Sequence, residues 1–248
     1  MCIRDRYDIP ANDPAWKLYE GEAWINDPAI PQDVKNYAAM VSMVDHNVGQ
    51  VLSLLRELKL EKDTIVFFTG DNGGQDRFRS PKHPRGFFGP NVNPKNGAEF
   101  RGGKGNLFEG GLRIPYLVRW PGKIKPRQVN ALIFYQPDVL PTLAELTGAK
   151  APDDIDGISF LPTLLGQPQT KKHEMLYWEF RGQTAVRQGL WKAIQTKPDR
   201  PWELYDLKTD RTETVDLADK HPDRVRQLAV RWKQRMQEYR ALALSESP

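Results

Sequence analysis

The sequence predicts an α/β domain followed by a small α+β subdomain. Apolar residues recur at helical spacing over residues 37–58, and a run rich in β-branched and aromatic side chains follows at residues 65–69. A helix followed by a buried strand is the repeating unit of a doubly wound fold. After Gly166 the pattern changes to short strand-like runs and a last amphipathic helix. That order of elements is typical of an antiparallel sheet covered by a helix.

The predicted elements of the α/β domain follow one another along the chain. Asp33 begins the first helix, and residues 65–69 form the first buried strand. Residues 114–120 and 129–135 are predicted to be the second and third strands, because both runs are rich in apolar side chains. Another helix then starts at Asp138.

The subdomain is predicted to contain an antiparallel sheet and one helix. The final helix covers residues 220–240, and its apolar face, which includes Trp232 and Met236, is expected to pack on the sheet. The predicted strands lie within residues 175–180, 184–194 and 202–207.

Composition narrows the classes of function. Apolar residues make up 39% of the 248 residues, which is enough for a packed core. No apolar run is long enough to predict a transmembrane helix. The net charge of +4 is modest, and no nucleic-acid-binding motif accompanies it, so nucleic acid is not an expected partner. Cys2 is the only cysteine, which excludes an intrachain disulfide and a cysteine-based zinc site.

Two turns carry the candidate chemistry, and the first is the Asp-Asn turn (residues 70–74). Asp71 and Asn72 lie between glycines directly after the strand at residues 65–69. Ligands bind at the carboxyl ends of strands in open α/β sheets. A carboxylate beside an amide carbonyl offers two hard oxygen ligands, which suit Ca²⁺ or Mg²⁺. The alternative is an ordinary Asx turn without a ligand.

The second is the lysine loop (residues 101–113). It contains Arg101, Lys104 and Arg113 together with five glycines and one glutamate, Glu109. Cations among glycines suit close approach of the backbone to a tetrahedral oxyanion. The spacing of a Walker phosphate-binding loop is absent. The alternative is a solvated basic loop.

Together, and in this order, the two turns resemble those of the type I, formylglycine-dependent sulfatases of the alkaline phosphatase superfamily. The Gly70-Asp71-Asn72-Gly73-Gly74 turn resembles the later metal-ligand pair of that family. Gly103-Lys104-Gly105, followed by Glu109-Gly110-Gly111-x-Arg113-x-Pro115, resembles its lysine-bearing substrate loop.

The resemblance implies a domain organisation. Residues 7–166 would be the C-terminal part of an alkaline-phosphatase-like α/β domain, a doubly wound sheet whose N-terminal strands are missing. Residues 167–248 would form the α+β subdomain. Residues 1–6 are interpreted as a non-native remnant. Cys2 is not interpreted as the nucleophile, because Arg4 stands where the family pattern C-x-P-x-R requires proline.

The resemblance also implies roles for individual residues. Asp71 and Asn72 would bind Ca²⁺, or Mg²⁺, and Lys104 would be a catalytic residue that contacts the sulfate. Glu109 and Arg113 are expected to brace the loop. The formylglycine nucleophile is expected in the missing N-terminal part.

The segment between the two turns, residues 75–100, carries one further candidate. It is long, irregular and basic, and it directly follows the Asp-Asn turn. Irregular segments of this length in compact domains are often functional. We interpret it as a substrate-selecting loop, with His83 as a substrate-binding residue; a merely solvated loop is the alternative.

The expected function is hydrolysis of a sulfuric ester in a small molecule or a polysaccharide, in the periplasm or outside the cell, as the resemblance implies. The chain alone is expected to be inactive, because the nucleophile segment and part of the metal site are missing. Two alternatives stay open: a phosphodiesterase or phosphonate hydrolase of the same superfamily, and a non-catalytic protein that binds sulfate or sugar.

Overall fold

The computed structural model describes residues 9–74, 92–93 and 95–245. These residues form two compact units. One contains residues 9–66 and 119–123, and the other contains the remaining described residues. No helix within the described ranges is both long enough and apolar enough to span a membrane.

The first unit is built around helix α1, Gln32–Glu57. Two short 3-10 helices, Pro14–Tyr19 and Ala23–Asn26, precede it. The Tyr19 hydroxyl ties the first of them to α1 by donating to the Ala38 carbonyl at 3.0 Å. The start of α1 lies one residue from the predicted start at Asp33, so the helical periodicity identified this element correctly.

The two described strands of the α/β part are less buried than the sequence predicts. Strand β1, Val66–Thr69, pairs with β2, Tyr116–Arg119, in a two-stranded sheet. Phe68 and Leu117 are exposed, Leu117 by 58% of its surface. Both strands are only partly buried, and the prediction that they are buried is therefore wrong for this chain.

The predicted third strand, residues 129–135, is not a strand in the structure. Val129 is 98% exposed. The centre of the Phe134 ring lies 4.6 Å from the centre of the Tyr116 ring and 4.9 Å from the centre of the Phe160 ring. Phe134 of this run thus packs in an aromatic cluster with Tyr116 and Phe160. A strand also needs a neighbour that pairs with its backbone groups, and this run pairs with no described strand.

A buried aspartate, Asp138, joins the start of the next helix to two later segments of the chain. A short 3-10 helix, Gln136–Asp138, leads into the next helix, close to the predicted start at Asp138. The Asp138 carboxylate accepts hydrogen bonds from the Ile158 amide at 2.7 Å and the Tyr135 amide at 3.0 Å, and it lies 2.8 Å from Nε2 of His173. One side chain therefore joins three segments of the second unit.

The described helices between β1 and the C-terminal sheet are short. They are α2, Glu109–Leu112, α3, Val139–Thr147, and α4, Leu161–Leu164.

The C-terminal sheet is antiparallel, as predicted, and has four strands. The predicted run 184–194 holds two of them, because the chain turns back at Gly189, where φ is +57°. The strands are β3, Met175–Phe180, β4, Gln183–Gln188, β5, Trp191–Gln195, and β6, Glu203–Asp206, paired in that order.

This sheet is covered on both faces. Successive strand residues point to opposite sides. Val186, Ala193 and Leu204 pack with Leu228 of helix α5, Pro222–Ser245. The neighbouring residues Ala185, Ile194 and Tyr205 pack on the opposite side with Leu107 and Phe108, which belong to the lysine loop.

Helix α5 packs through the two large side chains that the sequence indicates. Trp232 packs against the cluster around Leu228, and its indole N–H donates to the Trp178 carbonyl at 3.1 Å. Met236 is buried. The prediction for this helix face is confirmed. The division of the chain at residue 166 and the interpretation of residues 1–6 stay predictions.

Candidate functional site

The Asp-Asn turn presents two polar side chains at the carboxyl end of β1. Strand β1 ends at Thr69, and the side chains of Asp71 and Asn72 are both exposed. A hydrogen bond from the Asn72 side chain lowers the pKa of Asp71, and the positive charge of Lys104 lowers it further. Lys104 is also exposed. The Asp71 carboxylate therefore interacts both with the Asn72 amide group and with the positive charge of Lys104.

Backbone hydrogen bonds join the Asp-Asn turn to the lysine loop. The Lys104 amide donates to the Gly74 carbonyl at 2.7 Å, and the Gly73 amide donates to the Gly111 carbonyl at 3.0 Å. These bonds connect segments that are far apart in sequence. Each turn fixes the backbone of the other, so the position of Lys104 relative to Asp71 is defined by main-chain contacts.

Glycines make this approach possible because they carry no Cβ. A Cβ atom on Gly73 would lie 1.8 Å from the Gly110 carbonyl oxygen. Within the lysine loop, a Cβ on Gly110 would lie 2.3 Å from the Gly102 oxygen, and one on Gly111 would lie 2.1 Å from the Asn106 oxygen. All three partners are backbone atoms, so no side chain can move aside, and these positions require glycine.

A buried ion-pair network holds the lysine loop from behind. Glu109 begins α2, and its Oε2 accepts from Nε and Nη2 of Arg113 at 2.9 and 2.6 Å. Its Oε1 accepts from Nζ of Lys192, on β5, at 3.1 Å. Nζ also lies 2.8 Å from Oε1 of Glu213, in an ion-pair contact without hydrogen-bond geometry. Oε2 of Glu213 in turn accepts the Glu109 amide at 2.6 Å.

The pKa values of the two carboxyl groups in this network are shifted in opposite directions. Burial alone would raise the pKa of Glu109, but the charges of Lys192, Arg113 and Arg187 outweigh burial and lower that pKa to about 2. Burial raises the pKa of Glu213, and the nearby Glu109 carboxylate raises it further. Glu109 is therefore the ionised partner that Lys192 and Arg113 share.

Further contacts attach the start and middle of the loop to the C-terminal sheet. Nη1 of Arg101 donates to Oε2 of Glu203 at 2.8 Å, and the guanidinium lies 3.9 Å from the centre of the Phe108 ring. The Gln183 amide group donates to the Gly105 carbonyl at 3.1 Å and accepts from the Leu107 amide at 3.2 Å. The loop thus has polar anchors on β4, β5 and β6.

The structure brings together three of the four predicted site residues: Asp71, Asn72 and Lys104. The fourth, His83, lies outside the described residues. Glu109 and Arg113 form the ion pair that bracing of the loop requires.

Sequence reasoning missed the side chains on the C-terminal part that hold the loop. Lys192 could have been noticed, because it stands in the middle of the strand-like run Trp191-Lys192-Ala193-Ile194. A lysine at such a position needs a buried partner. The other residues that anchor the loop have no comparable signal in the sequence. They are Gln183, Glu203 and Glu213.

Asp71 and Asn72 fit part of a Ca²⁺ or Mg²⁺ site. Both are exposed side chains with the hard oxygen atoms these ions prefer. Ca²⁺ takes about six to eight oxygen ligands, and two side chains cannot complete such a shell. Among the residues that the structure describes, no group of three or more His, Cys, Asp or Glu could hold a metal ion. The pair therefore fits as two ligands of a larger set.

Two family profiles match the chain. The profile described as Sulfatase matches residues 5–149, and the profile described as N-sulphoglucosamine sulphohydrolase, C-terminal, matches residues 103–242. The first contains Asp71 and Asn72, and both contain Lys104.

Named relatives and a solved structure agree with these profiles. Steryl-sulfatase of Mus musculus is 40% identical over 170 residues, which are 66% of this chain and 26% of that protein. N-acetylgalactosamine-6-O-sulfatase of Bacteroides thetaiotaomicron is 30% identical over 239 residues, which are 86% of this chain and 45% of that protein. The structure of Ps i-CgsB in complex with k-i-k-neocarrahexaose matches with a TM-score of 0.66 at 26% identity, over 86% of this chain and 44% of that chain. The chain spans less than half the length of each.

The contact between the two turns predicts the effect of Gly73→Ala. The added Cβ cannot fit against the Gly110 carbonyl, so the turns must separate. Forced overpacking of this kind typically costs about 1–3 kcal/mol. We expect a loss of that size in the free energy of urea unfolding, and faster hydrogen exchange of the Lys104 amide. Gly49→Ala is the control, because a Cβ there meets nothing within 4 Å. Equal stability and unchanged Lys104 protection in Gly73→Ala would contradict the described contact.

The lowered pKa of Glu109 predicts a pH-dependent loss of stability. Its ionised form is stabilised by folding, so its contribution is present above the usual pKa of 4.5 and disappears as the pH falls toward about 2. We expect Glu109→Gln to be less stable than wild type at pH 4.5. The difference in unfolding free energy should shrink by up to about 3 kcal/mol on approaching pH 2. Parallel stability curves over this range would show that Glu109 is not held as an ionised partner.

Proposed function

This chain belongs to the sulfatase family, and from that premise we propose that it carries part of a centre that hydrolyses sulfate esters. In this proposal Asp71 and Asn72 bind the metal ion, and Lys104 binds the sulfate group. One observation carries it: the Lys104 amide is hydrogen-bonded to the Gly74 carbonyl at 2.7 Å. That bond supports the proposal, because it holds the backbone of Lys104 next to the turn that carries Asp71 and Asn72.

Lys104 supplies the charge that a sulfate group requires. Its ammonium group has three N–H donors and no acceptor, and the side chain is exposed. It can donate to sulfate oxygens and stabilise the negative charge that develops on the transferring group. The main-chain bonds around it fix its backbone before the substrate arrives, which lowers the cost of orienting the group.

Asp71 and Asn72 would hold the metal ion through their side-chain oxygens. Because the pKa of Asp71 is lowered, its carboxylate stays ionised and ready to bind a cation. A bound Ca²⁺ or Mg²⁺ would supply Lewis-acid polarisation of the sulfate. The pattern C-x-P-x-R, from which the family makes its formylglycine nucleophile, is absent from these 248 residues. We therefore assign the nucleophile to a part of the protein outside these 248 residues, and the remaining metal ligands to residues outside those described.

The proposed substrate class is a sulfated saccharide. Of the two relatives named above, the N-acetylgalactosamine-6-O-sulfatase matches the larger share of this chain, and the solved structure is a complex with k-i-k-neocarrahexaose. A small sulfated molecule is the second candidate, because steryl-sulfatase shares 40% identity with this chain. Either substrate would agree with a periplasmic or secreted enzyme. The family profiles favour sulfatase chemistry over the phosphodiesterase, phosphonate hydrolase and non-catalytic alternatives.

An assay of the protein encoded by the complete reading frame that contains this chain tests the proposal. With a chromogenic aryl sulfate and Ca²⁺, Lys104→Ala and Asp71→Ala should each lower kcat/KM by on the order of 10²–10³-fold. Lys125→Ala and Asp154→Ala, which change exposed side chains, should leave it unchanged.

The isolated 248 residues should give no turnover above background, since catalytic residues act as a unit. Turnover by the isolated chain that is lost on Asp71→Ala would show that its catalytic centre has been misassigned. Full activity of Lys104→Ala in the complete protein would overturn the role of the lysine loop.

A further inference from the structure

We propose that Lys192, inside the C-terminal sheet, is a positioning residue that sets the place of Lys104 through Glu109. The inference rests on the proposed function of Lys104 and extends it to a part of the chain that touches neither the metal ligands nor the sulfate. Three successive sets of contacts connect the two lysines.

The first contact set lies at the sheet. Lys192 is fully buried, and it stands on the same face as Ile194, where the other side chains are mostly apolar. Nζ lies 3.1 Å from Glu109 and 2.8 Å from Glu213. Apolar residues can often replace a buried ion pair without loss of stability, so the sheet itself does not require a charge at this position. What the charge does provide is a directed contact to Glu109.

The second contact set joins Glu109 to the rest of the lysine loop. Glu109 begins α2, and the next residue, Gly110, donates its amide to the Arg101 carbonyl at 2.8 Å. Gly110 and Gly111 pack directly against the loop carbonyls. A shift of Glu109 would therefore move the backbone on both sides of Lys104.

The third contact set joins the loop to the Asp-Asn turn. The Gly111 carbonyl accepts the Gly73 amide, and the Lys104 amide donates to the Gly74 carbonyl. Lys192 thus fixes α2, α2 fixes the loop, and the loop fixes Lys104 beside Asp71.

Glu213 is the second acidic residue that contacts Lys192. It is fully buried in a left-handed backbone conformation, with φ of +57°, which is unfavourable for a residue that carries a Cβ. The Asp210 carboxylate holds the turn around it by accepting the amides of Thr214 at 2.7 Å and Val215 at 2.8 Å. In that conformation Glu213 accepts the Glu109 amide and contacts Lys192. The turn accordingly directs one carboxylate onto the first residue of α2.

Amide hydrogen exchange of Lys192→Met tests the proposal on this chain. We expect the Lys104 and Gly73 amides to exchange at least about tenfold faster, while amides of β4 and β5 stay within about threefold of wild type. Lys208→Met, which removes an exposed lysine, is the control and should change none of these rates. Equal acceleration throughout the sheet, or no change at Lys104, would overturn the proposal.

A second variant keeps the test valid if Lys192→Met fails to fold because Glu213 loses its partner. Lys192→Met with Glu213→Gln removes the charges of both side chains. It should fold and still show fast exchange at Lys104; restored protection at Lys104 would show that the Lys192 charge does not position the loop.

The same variants separate this inference from the proposed function. In the complete protein, Lys192→Met should lower kcat/KM toward aryl sulfate by on the order of 10–10²-fold, as expected for a misplaced catalytic group, and Lys208→Met should not lower it. The exchange rates involve no substrate. Absence of sulfatase activity in the wild-type protein would therefore refute the function and leave the positioning contacts tested on their own. Normal kcat/KM in Lys192→Met would refute the positioning role.

Discussion

The candidate site depends on a buried ammonium group that contacts two carboxyl groups. Lys192 lies between Glu109 and Glu213, and all three side chains are almost completely removed from solvent. A charge in such a place is tolerated only when its partners are held at short distance, because the loss of one partner leaves an uncompensated charge. The network therefore restricts α2 to one position on the sheet. The contact between Gly111 of α2 and Gly73 of the Asp-Asn turn extends from that position.

The C-terminal sheet can support the site because different elements pack on its two faces. Helix α5 covers one face and supplies an apolar core, while the lysine loop covers the other. Adjacent residues of one strand serve both purposes: Ala193 packs toward the helix, and Lys192 reaches Glu109 on the opposite side. The C-terminal sheet and helix thus support the proposed sulfate-binding loop. A substitution that disturbs their core should therefore also shift Lys104, because β5 carries Lys192, which contacts Glu109.

Local patterns predicted the elements well, and tertiary partners account for what they missed. The periodicity located α1 and α5, and the turn residues located the Asp-Asn turn and the lysine loop, since each pattern reflects backbone chemistry within a few residues. The strand predicted at residues 129–135 was wrong, because Phe134 packs in an aromatic cluster and this run pairs with no described strand. The contact of Lys192 with Glu109 joins residues far apart in the sequence, and the pattern around either residue alone does not name the other.

Lys104 and the Asp-Asn turn form one electrostatic site, and the pKa of Asp71 reports on it directly. NMR titration of the Asp71 carboxyl group can be made on this chain in wild type and in Lys104→Met. Because the positive charge of Lys104 helps to lower the pKa of Asp71, we expect the variant to have a higher Asp71 pKa, closer to the ordinary value for aspartate. Lys125→Met, an exposed control, should leave it unchanged. An Asp71 pKa that is the same in wild type and Lys104→Met would contradict the account.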